Sequence, residues 1–183
     1  MQVIRRYNRE NAVEYARRWA FSRNPLFADY TGIGGDCTNF VSQCLLAGSC
    51  QMNYTPVLGW YYLGSEARTA SWTGVEFLYA FLTENQGEGP FATETTEAAV
   101  GIGDVVQLLD TVDDAYHTLL VSGFAEGGGI LVAAHSDDAF DRPLSTYTYA
   151  DARFLHIEGV RFAIDFTSDA CFAALLNGEA IVG

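Results

Sequence analysis

The hydrophobic positions of the chain follow a helical spacing in its first half and alternate in its second half. Three segments of the first half predict helices, over residues 9–23, 37–47 and 72–82. From residue 91 onward the pattern predicts strands, over 91–98, 105–109, 116–124, 130–135 and 152–162. Short connections between strands imply an antiparallel sheet. Because the helices precede the strands, we expect an α+β fold with N-terminal helices packed on a C-terminal sheet.

The stretch from Gly34 to Gln43, GGDCTNFVSQ, is the strongest local signal in the chain. Two glycines permit a tight turn, and Asp36 is a favourable N-cap for the helix that follows. Cys37 then lies in the first turn, where free N–H groups and the helix dipole favour a thiolate and can hold an oxyanion. Cys37 is therefore a candidate nucleophile, the alternative being a small buried apolar residue.

A cysteine nucleophile requires a base within hydrogen-bond reach and a group that orients the base. His117 opens one predicted strand and His135 ends the next. A hairpin centred on Gly128 pairs Val121 with His135, which leaves His117 about four residues, or ~13 Å, further along. A bulge or a shifted register is therefore needed to bring the two rings together.

Other polar residues offer alternative chemistry. Asp137 and Asp138 directly follow His135 and are alternative orienting groups. His156 alternates with apolar neighbours, which predicts a solvated or structural role. A zinc site is the rival interpretation, but its candidate ligands share no short spacing motif; they are Cys37, His117, His135 and Asp137. We expect no metal and no cofactor.

Composition and charge narrow the function further. The 183 residues suit one domain, and the net charge of −13 argues against nucleic acid as a partner. No apolar stretch is long enough to span a bilayer, and the sequence as written shows no signal peptide. The sequence leaves two locations for the protein. It is secreted or associated with the cell wall if a signal peptide was removed, and otherwise cytoplasmic. Cys44 is predicted to be a core residue, and Cys50 and Cys171 are candidates for a disulfide.

The chain resembles the bacterial family described as "putative amidase domain". The opening YNRENAVEYA and the central GGDCTNFVSQC carry most of the resemblance, which runs from about residue 7 to about residue 162. Trp60-Tyr61-Tyr62 followed by Ser71-Trp72-Thr73 is similar to its middle. The segments GDVVQ, His117-Thr118 and AHSDD are similar to its end. That family in turn resembles the papain-like cysteine hydrolases of the NlpC and CHAP types.

The resemblance implies a fold and a mechanism. It implies a papain-like domain over residues 1–162, with residues 163–183 as an extension of unknown role. Cys37 is then the nucleophile, His117 the general base and His135 the orienting group. The implied reaction cleaves a peptide or peptidoglycan amide through a thioester. We expect the substrate site to be lined by Asp36, Trp60, Tyr61 and Trp72, although aromatic residues at these positions also suit a core.

Two alternatives to the hydrolase remain open at this point. A catalytically silent binding module can keep the same fold. An acyltransferase can use the same thioester with an amine in place of water.

Overall fold

The structure, a computed structural model, describes residues 2–164 and 170–180. Within these ranges the chain forms twelve main elements in the following order: β1 (Val3–Arg5), α1 (Arg9–Trp19), α2 (Asp36–Ser49), α3 (Ala70–Thr73), α4 (Val75–Glu84), β2 (Gly89–Thr95), β3 (Val105–Leu109), β4 (Ala115–Phe124), β5 (Ile130–Ala134), β6 (Ala139–Pro143), β7 (Asp151–Phe162) and α5 (Ala170–Asn177).

The seven strands form one antiparallel sheet. β7 pairs with β1, β2 and β3, and the order continues through β4 and β5 to β6. This architecture confirms the predicted α+β class and the antiparallel sheet. The sequence pattern missed β1 and β6, because three and five residues with alternating exposure give too short a signal.

The sheet carries one hydrophobic cluster on each face. Helices α1, α2 and α4 cover one face, which includes Val105, Leu120 and Ala133. The other face contains Leu108 and Leu119, and residues around Leu144 and Tyr147 pack against it. Because neighbouring residues of a strand point to opposite faces, a shift of one residue decides which cluster a side chain joins.

Helix α2 is buried along its whole length and ends later than the predicted residues 37–47. Gly48 was expected to stop it, but the helix continues through Ser49, and Cys50 takes the left-handed conformation at φ 49°. Gly48 instead makes room for a ring, because a Cβ there would lie 2.3 Å from Cε2 of Tyr7. This glycine therefore serves close packing against the helix that holds the candidate nucleophile.

The other predicted helices also change at their ends. Helix α1 begins after Asn8, whose side chain accepts a hydrogen bond from the Asn11 N–H at 3.0 Å, but it ends at Trp19 and not at the predicted residue 23. The predicted helix 72–82 is two helices, because Gly74 adopts an extended conformation between α3 and α4.

Helix α5 is fastened to the helical layer. Cys50 and Cys171 form a disulfide, as the sequence suggested, and Nε1 of Trp19 donates to the Leu176 carbonyl at 3.1 Å. The predicted extension 163–183 therefore contains a docked helix. Residues 165–169 and 181–183 of it lie outside the described residues.

Candidate active site

Cys37 lies in the first turn of α2, as predicted. Gly35, not Asp36, is the N-cap, and its φ of 96° requires a conformation that glycine adopts easily. Its neighbour Thr73 is so close that a Cβ on Gly35 would lie 3.0 Å from the Thr73 carbonyl oxygen. Only 6% of Cys37 is exposed, and its Sγ lies 3.8 Å from Oγ1 of Thr38.

Asp36 is fully buried and ties the turn to its surroundings. Its carboxylate accepts hydrogen bonds from the Tyr30 N–H at 3.1 Å and from Nδ2 of Asn39 at 3.1 Å. A third contact joins its Oδ2 to Nδ1 of His135 at 2.9 Å. Burial opposes ionisation of Asp36, but the hydrogen bonds from His135, Tyr30 and Asn39 outweigh it and lower the pKa of Asp36 to about 2. Since none of this carboxylate is exposed, Asp36 anchors the turn and does not line a substrate site as expected.

His135 lies beside α2, with 1% of its surface exposed. Its ring stacks on Phe40 at a centroid distance of 4.0 Å. Nδ1 contacts Asp36, and Nε2 lies 2.9 Å from the Trp19 carbonyl oxygen and 3.3 Å from Nη1 of Arg23. Both ring nitrogens are thus engaged, so the expected orienting contact from His135 to His117 does not form.

Arg23 closes the network around His135 from the surface. Its guanidinium contacts Asp138 at 2.9 and 3.0 Å, Asp29 at 3.3 Å and Asp36 at 3.4 Å. Asp138 is therefore the partner of an arginine. Sequence reasoning did not single out Arg23, because nothing local distinguishes it from the other arginines of the N-terminal segment.

His117 points away from α2. It pairs across the ladder with Leu108, and paired residues of antiparallel strands share a face. Leu108 belongs to the cluster opposite the helices, and the His117 ring lies 6.0 Å from the ring of Tyr147 on that side. The expected hydrogen bond between Cys37 and His117 is absent from the described part of the chain.

The next residue, Thr118, faces the helix. Its Oγ1 lies 2.9 Å from Oγ1 of Thr38, directly after the candidate nucleophile. The two neighbours of Cys37 are therefore fixed on both sides, Asp36 to His135 and Thr38 to Thr118. His117 is one residue away from the second of these contacts.

A bulge sets which histidine faces the helix. Val121 pairs with Val132 and Gly123 with Leu131, so Ser122 is an extra residue in β4. The expected pairing of Val121 with His135 is therefore wrong by three residues. Leu120 pairs with Ala133. Two residues further along this register, Thr118 lies beside His135. A one-residue offset separates the two histidines onto opposite faces.

His117 is buried but makes no hydrogen bond within the described residues. Burial lowers the pKa of His117 to about 4, while the Asp137 and Arg142 charges act on it in opposite directions. Its imidazole is therefore neutral at pH 7 and keeps a free lone pair. Asp137 pairs with Arg142 at 2.7 Å, and it makes no hydrogen bond to either histidine within the described residues.

The aromatic residues predicted to line a cleft divide into two groups. Trp60 and Trp72 are completely buried, with ring centroids 4.9 Å apart. Nε1 of Trp72 donates to Oδ1 of Asn39 at 3.0 Å. Both tryptophans are therefore core residues, which corrects the expectation that they contact substrate. Tyr61 is partly exposed and lies against Tyr54 at 5.7 Å.

His156 is structural, as predicted. Its Nδ1 contacts the buried carboxylate of Asp104 at 2.8 Å, and Arg9 binds the same carboxylate at 2.5 Å. This network fastens α1 to β7 and lies apart from the Cys37 turn. Within residues 2–164 and 170–180, no group of three histidine, cysteine or acidic side chains is arranged to hold a metal ion.

Comparison with known proteins assigns the chain to a family. The family model described as "Putative amidase domain" matches residues 6–157, and the chain belongs to this family. An uncharacterized protein of Bacillus subtilis (strain 168), YhbB, is 26% identical over 159 residues. The match covers 86% of this chain but 49% of that relative, so the chain spans about half the relative's length. No solved structure matches the chain significantly. In the described ranges, every helix is too short or too polar to cross a membrane.

Proposed function

We propose that this member of the amidase domain family hydrolyses an amide bond with Cys37 as the nucleophile. One observation carries the proposal: Cys37 occupies the first turn of a fully buried helix, and hydrogen bonds hold the residues on both sides of it. A helix leaves its first four N–H groups without intrahelical acceptors. Those groups stabilise a thiolate at Cys37 and the oxyanion of a tetrahedral intermediate.

The proposed reaction has two acyl-transfer steps. The Cys37 sulfur attacks the amide carbonyl carbon, the C–N bond breaks, and the amine leaves with a proton, which gives a thioester on Cys37. Water then attacks the thioester, the C–S bond breaks, and the carboxylic acid leaves as the thiol is restored. A peptide or peptidoglycan-like amide is the proposed substrate class.

We propose His117 as the group that transfers the protons. It is neutral at pH 7 because its pKa is about 4, and among the described residues it makes no hydrogen bond that would have to break. The ring lies on the face of the sheet opposite α2, so β4 must change its backbone conformation around residue 117 before His117 reaches Cys37. Catalytic hydrogen bonds that are absent in a ligand-free enzyme can form in the substrate complex.

His135 then has a different role from the one the resemblance implied. Because its nitrogens bind Asp36 and the Trp19 carbonyl, we assign it as a positioning residue. It holds Asp36, and through Asp36 the backbone of the Cys37 turn.

The test is a comparison of two cysteine variants on a panel of fluorogenic peptide amides and peptidoglycan fragments. Cys37→Ala should abolish hydrolysis and any covalent acyl-enzyme seen by mass spectrometry. Cys44→Ala is the control, since Cys44 is a completely buried core residue on the same helix. Hydrolysis that survives in Cys37→Ala while the fold is unchanged would refute the mechanism.

A second candidate function is a binding module without turnover. The observation that favours it is the lack of a hydrogen bond between Cys37 and either histidine in the described part of the chain. A binding module would retain a peptide or peptidoglycan fragment equally well in wild type and in Cys37→Ala, with no product from either.

A further inference from the structure

Arg68 contacts two residues that adjoin the Cys37 turn, Thr73 and Tyr30. Its Nε donates to Oγ1 of Thr73 at 3.3 Å, and Thr73 is the residue in close contact with Gly35. Its guanidinium carbon also lies 4.7 Å from the centre of the Tyr30 ring. Because the Tyr30 N–H binds Asp36, Arg68 is attached to the turn at two points.

The charge of Arg68 is not neutralised in the described part of the chain. Its other hydrogen bond goes from Nη1 to the Ser65 carbonyl, which is a neutral acceptor. Arg23, which also contacts the turn, is paired with three carboxylates. The chain has 23 acidic and 10 basic residues. Because carboxylates outnumber basic groups, an arginine that forms no ion pair is unexpected.

The setting of Arg68 suits an anion that comes from outside. The side chain is partly buried, its guanidinium carbon lies over the Tyr30 ring, and hydrogen bonds from Nε to Thr73 and from Nη1 to the Ser65 carbonyl restrain its orientation. A planar guanidinium with a fixed orientation matches the two oxygens of a carboxylate and loses little entropy on binding it. Partial burial strengthens the attraction relative to that in water.

We propose that Arg68 binds a carboxylate of the substrate next to the amide that Cys37 attacks. The substrate class is then an amide with an acidic group close to the scissile bond, such as a peptide with a glutamate or aspartate beside it. This inference rests on the proposed function and names the specificity of the same site.

Two alkylating reagents test the proposal without a known substrate. Iodoacetate and iodoacetamide both transfer a two-carbon group to a thiolate with loss of iodide, but only iodoacetate carries a carboxylate. We expect the ratio of the iodoacetate rate to the iodoacetamide rate to be roughly tenfold higher for Cys37 than for a free thiol. A factor of this size is the effect of one charge-assisted hydrogen bond. Arg68→Gln should remove this preference and leave the iodoacetamide rate unchanged.

Arg161→Gln is the matched control. Arg161 also pairs with no carboxylate in the described ranges, since it donates to the Asn85 carbonyl at 2.6 Å and lies over the Phe91 ring. Its substitution should leave both alkylation rates as in wild type. The inference would be overturned if wild type showed no preference for iodoacetate, or if the preference survived in Arg68→Gln. Rapid labelling by iodoacetamide would still support Cys37 as the nucleophile in either case.

Calorimetry with the Cys37→Ala variant gives an independent measurement. N-acetylglutamate should bind, its diamide, in which both carboxylates are replaced by amides, should bind about tenfold more weakly, and Arg68→Gln should remove the difference. No heat of binding with N-acetylglutamate would also overturn the role of Arg68. Slow alkylation of Cys37 by both reagents would instead count against the activated thiol, whatever the calorimetry shows.

Discussion

His135 and His117 lie on opposite faces of the sheet, and their hydrogen bonding differs. On the helix face, His135 is engaged at both nitrogens and stacked on Phe40. On the other face, His117 is buried and forms no hydrogen bond with residues 2–164 or 170–180, and burial lowers its pKa to about 4. A one-residue offset in the register therefore gives the two histidines different surroundings, and within the described residues only His135 joins the hydrogen bonds around the Cys37 turn.

Removal of the free histidine is the sharpest test of this comparison. His117→Gln should lower the rate of amide hydrolysis by about 10²- to 10⁴-fold, the usual contribution of a general acid–base group. The free energy of unfolding at pH 7 should change little, since glutamine fills a similar volume and His117 makes no hydrogen bond that would be lost. Activity is measured on the substrate found in the panel.

The comparison would fail if His117→Gln kept wild-type activity. His156→Gln is the matched control, because His156 contacts Asp104 far from the turn. It should affect stability and leave the rate per folded molecule unchanged.

Removal of the engaged histidine should affect folding most. His135→Ala removes one of the five groups that contact the buried carboxylate of Asp36, and the loss of such a hydrogen bond to a charged group costs about 1.5–3 kcal/mol of unfolding free energy. Urea unfolding at pH 7 measures the loss. Activity per folded molecule should fall less than in His117→Gln, because the turn shifts but the proton-transfer group remains. A reversal of these two rankings would mean that His135 is the base.

The pH dependence of stability separates the two histidine environments. Protonation of His117 favours the unfolded state, because its pKa is 6.5 there and about 4 in the fold. Its contribution is complete above pH 6.5 and is lost as the pH falls toward 4, with a total of about 3 kcal/mol. The pKa of Asp36, lowered from 3.8 to about 2, acts in a separate window: its contribution is present above pH 3.8 and is lost toward pH 2.

Urea unfolding between pH 4 and 7 measures the contribution of His117 to the free energy of unfolding. His117→Gln should flatten the stability profile in that range and leave the loss below pH 3.8 in place. A profile in His117→Gln as steep as in wild type between pH 4 and 6.5 would show that the histidine is not held neutral by burial.

Sequence reasoning reached the class of the fold and the place of Cys37 in the first turn of α2, and physical causes explain where it stopped. Local signals were enough for Cys37, because glycines, an acidic residue and an apolar helix are consecutive in the chain. The faces of His117 and His135 depend on the bulge at Ser122, which has no clear signature in the sequence. The burial of Trp60 and Trp72 depends on contacts between distant segments, and an aromatic residue gives the same local signal in a core and in a cleft.

The smallest expected effect tests the contact between Thr38 of α2 and Thr118 on the helix-facing side of β4. Thr118→Val keeps the shape of the side chain but removes the hydrogen bond to Thr38, and it should lower the free energy of unfolding by about 1 kcal/mol. Thr93→Val is the control, since Thr93 makes an exposed contact to Glu158 on β7. If the threonine pair fixes the backbone between Cys37 and His117, Thr118→Val should also reduce hydrolysis several-fold while Thr93→Val does not. Unchanged activity in a Thr118→Val variant with the expected loss of stability would show that the pair holds the helix on the sheet but does not position the reacting groups.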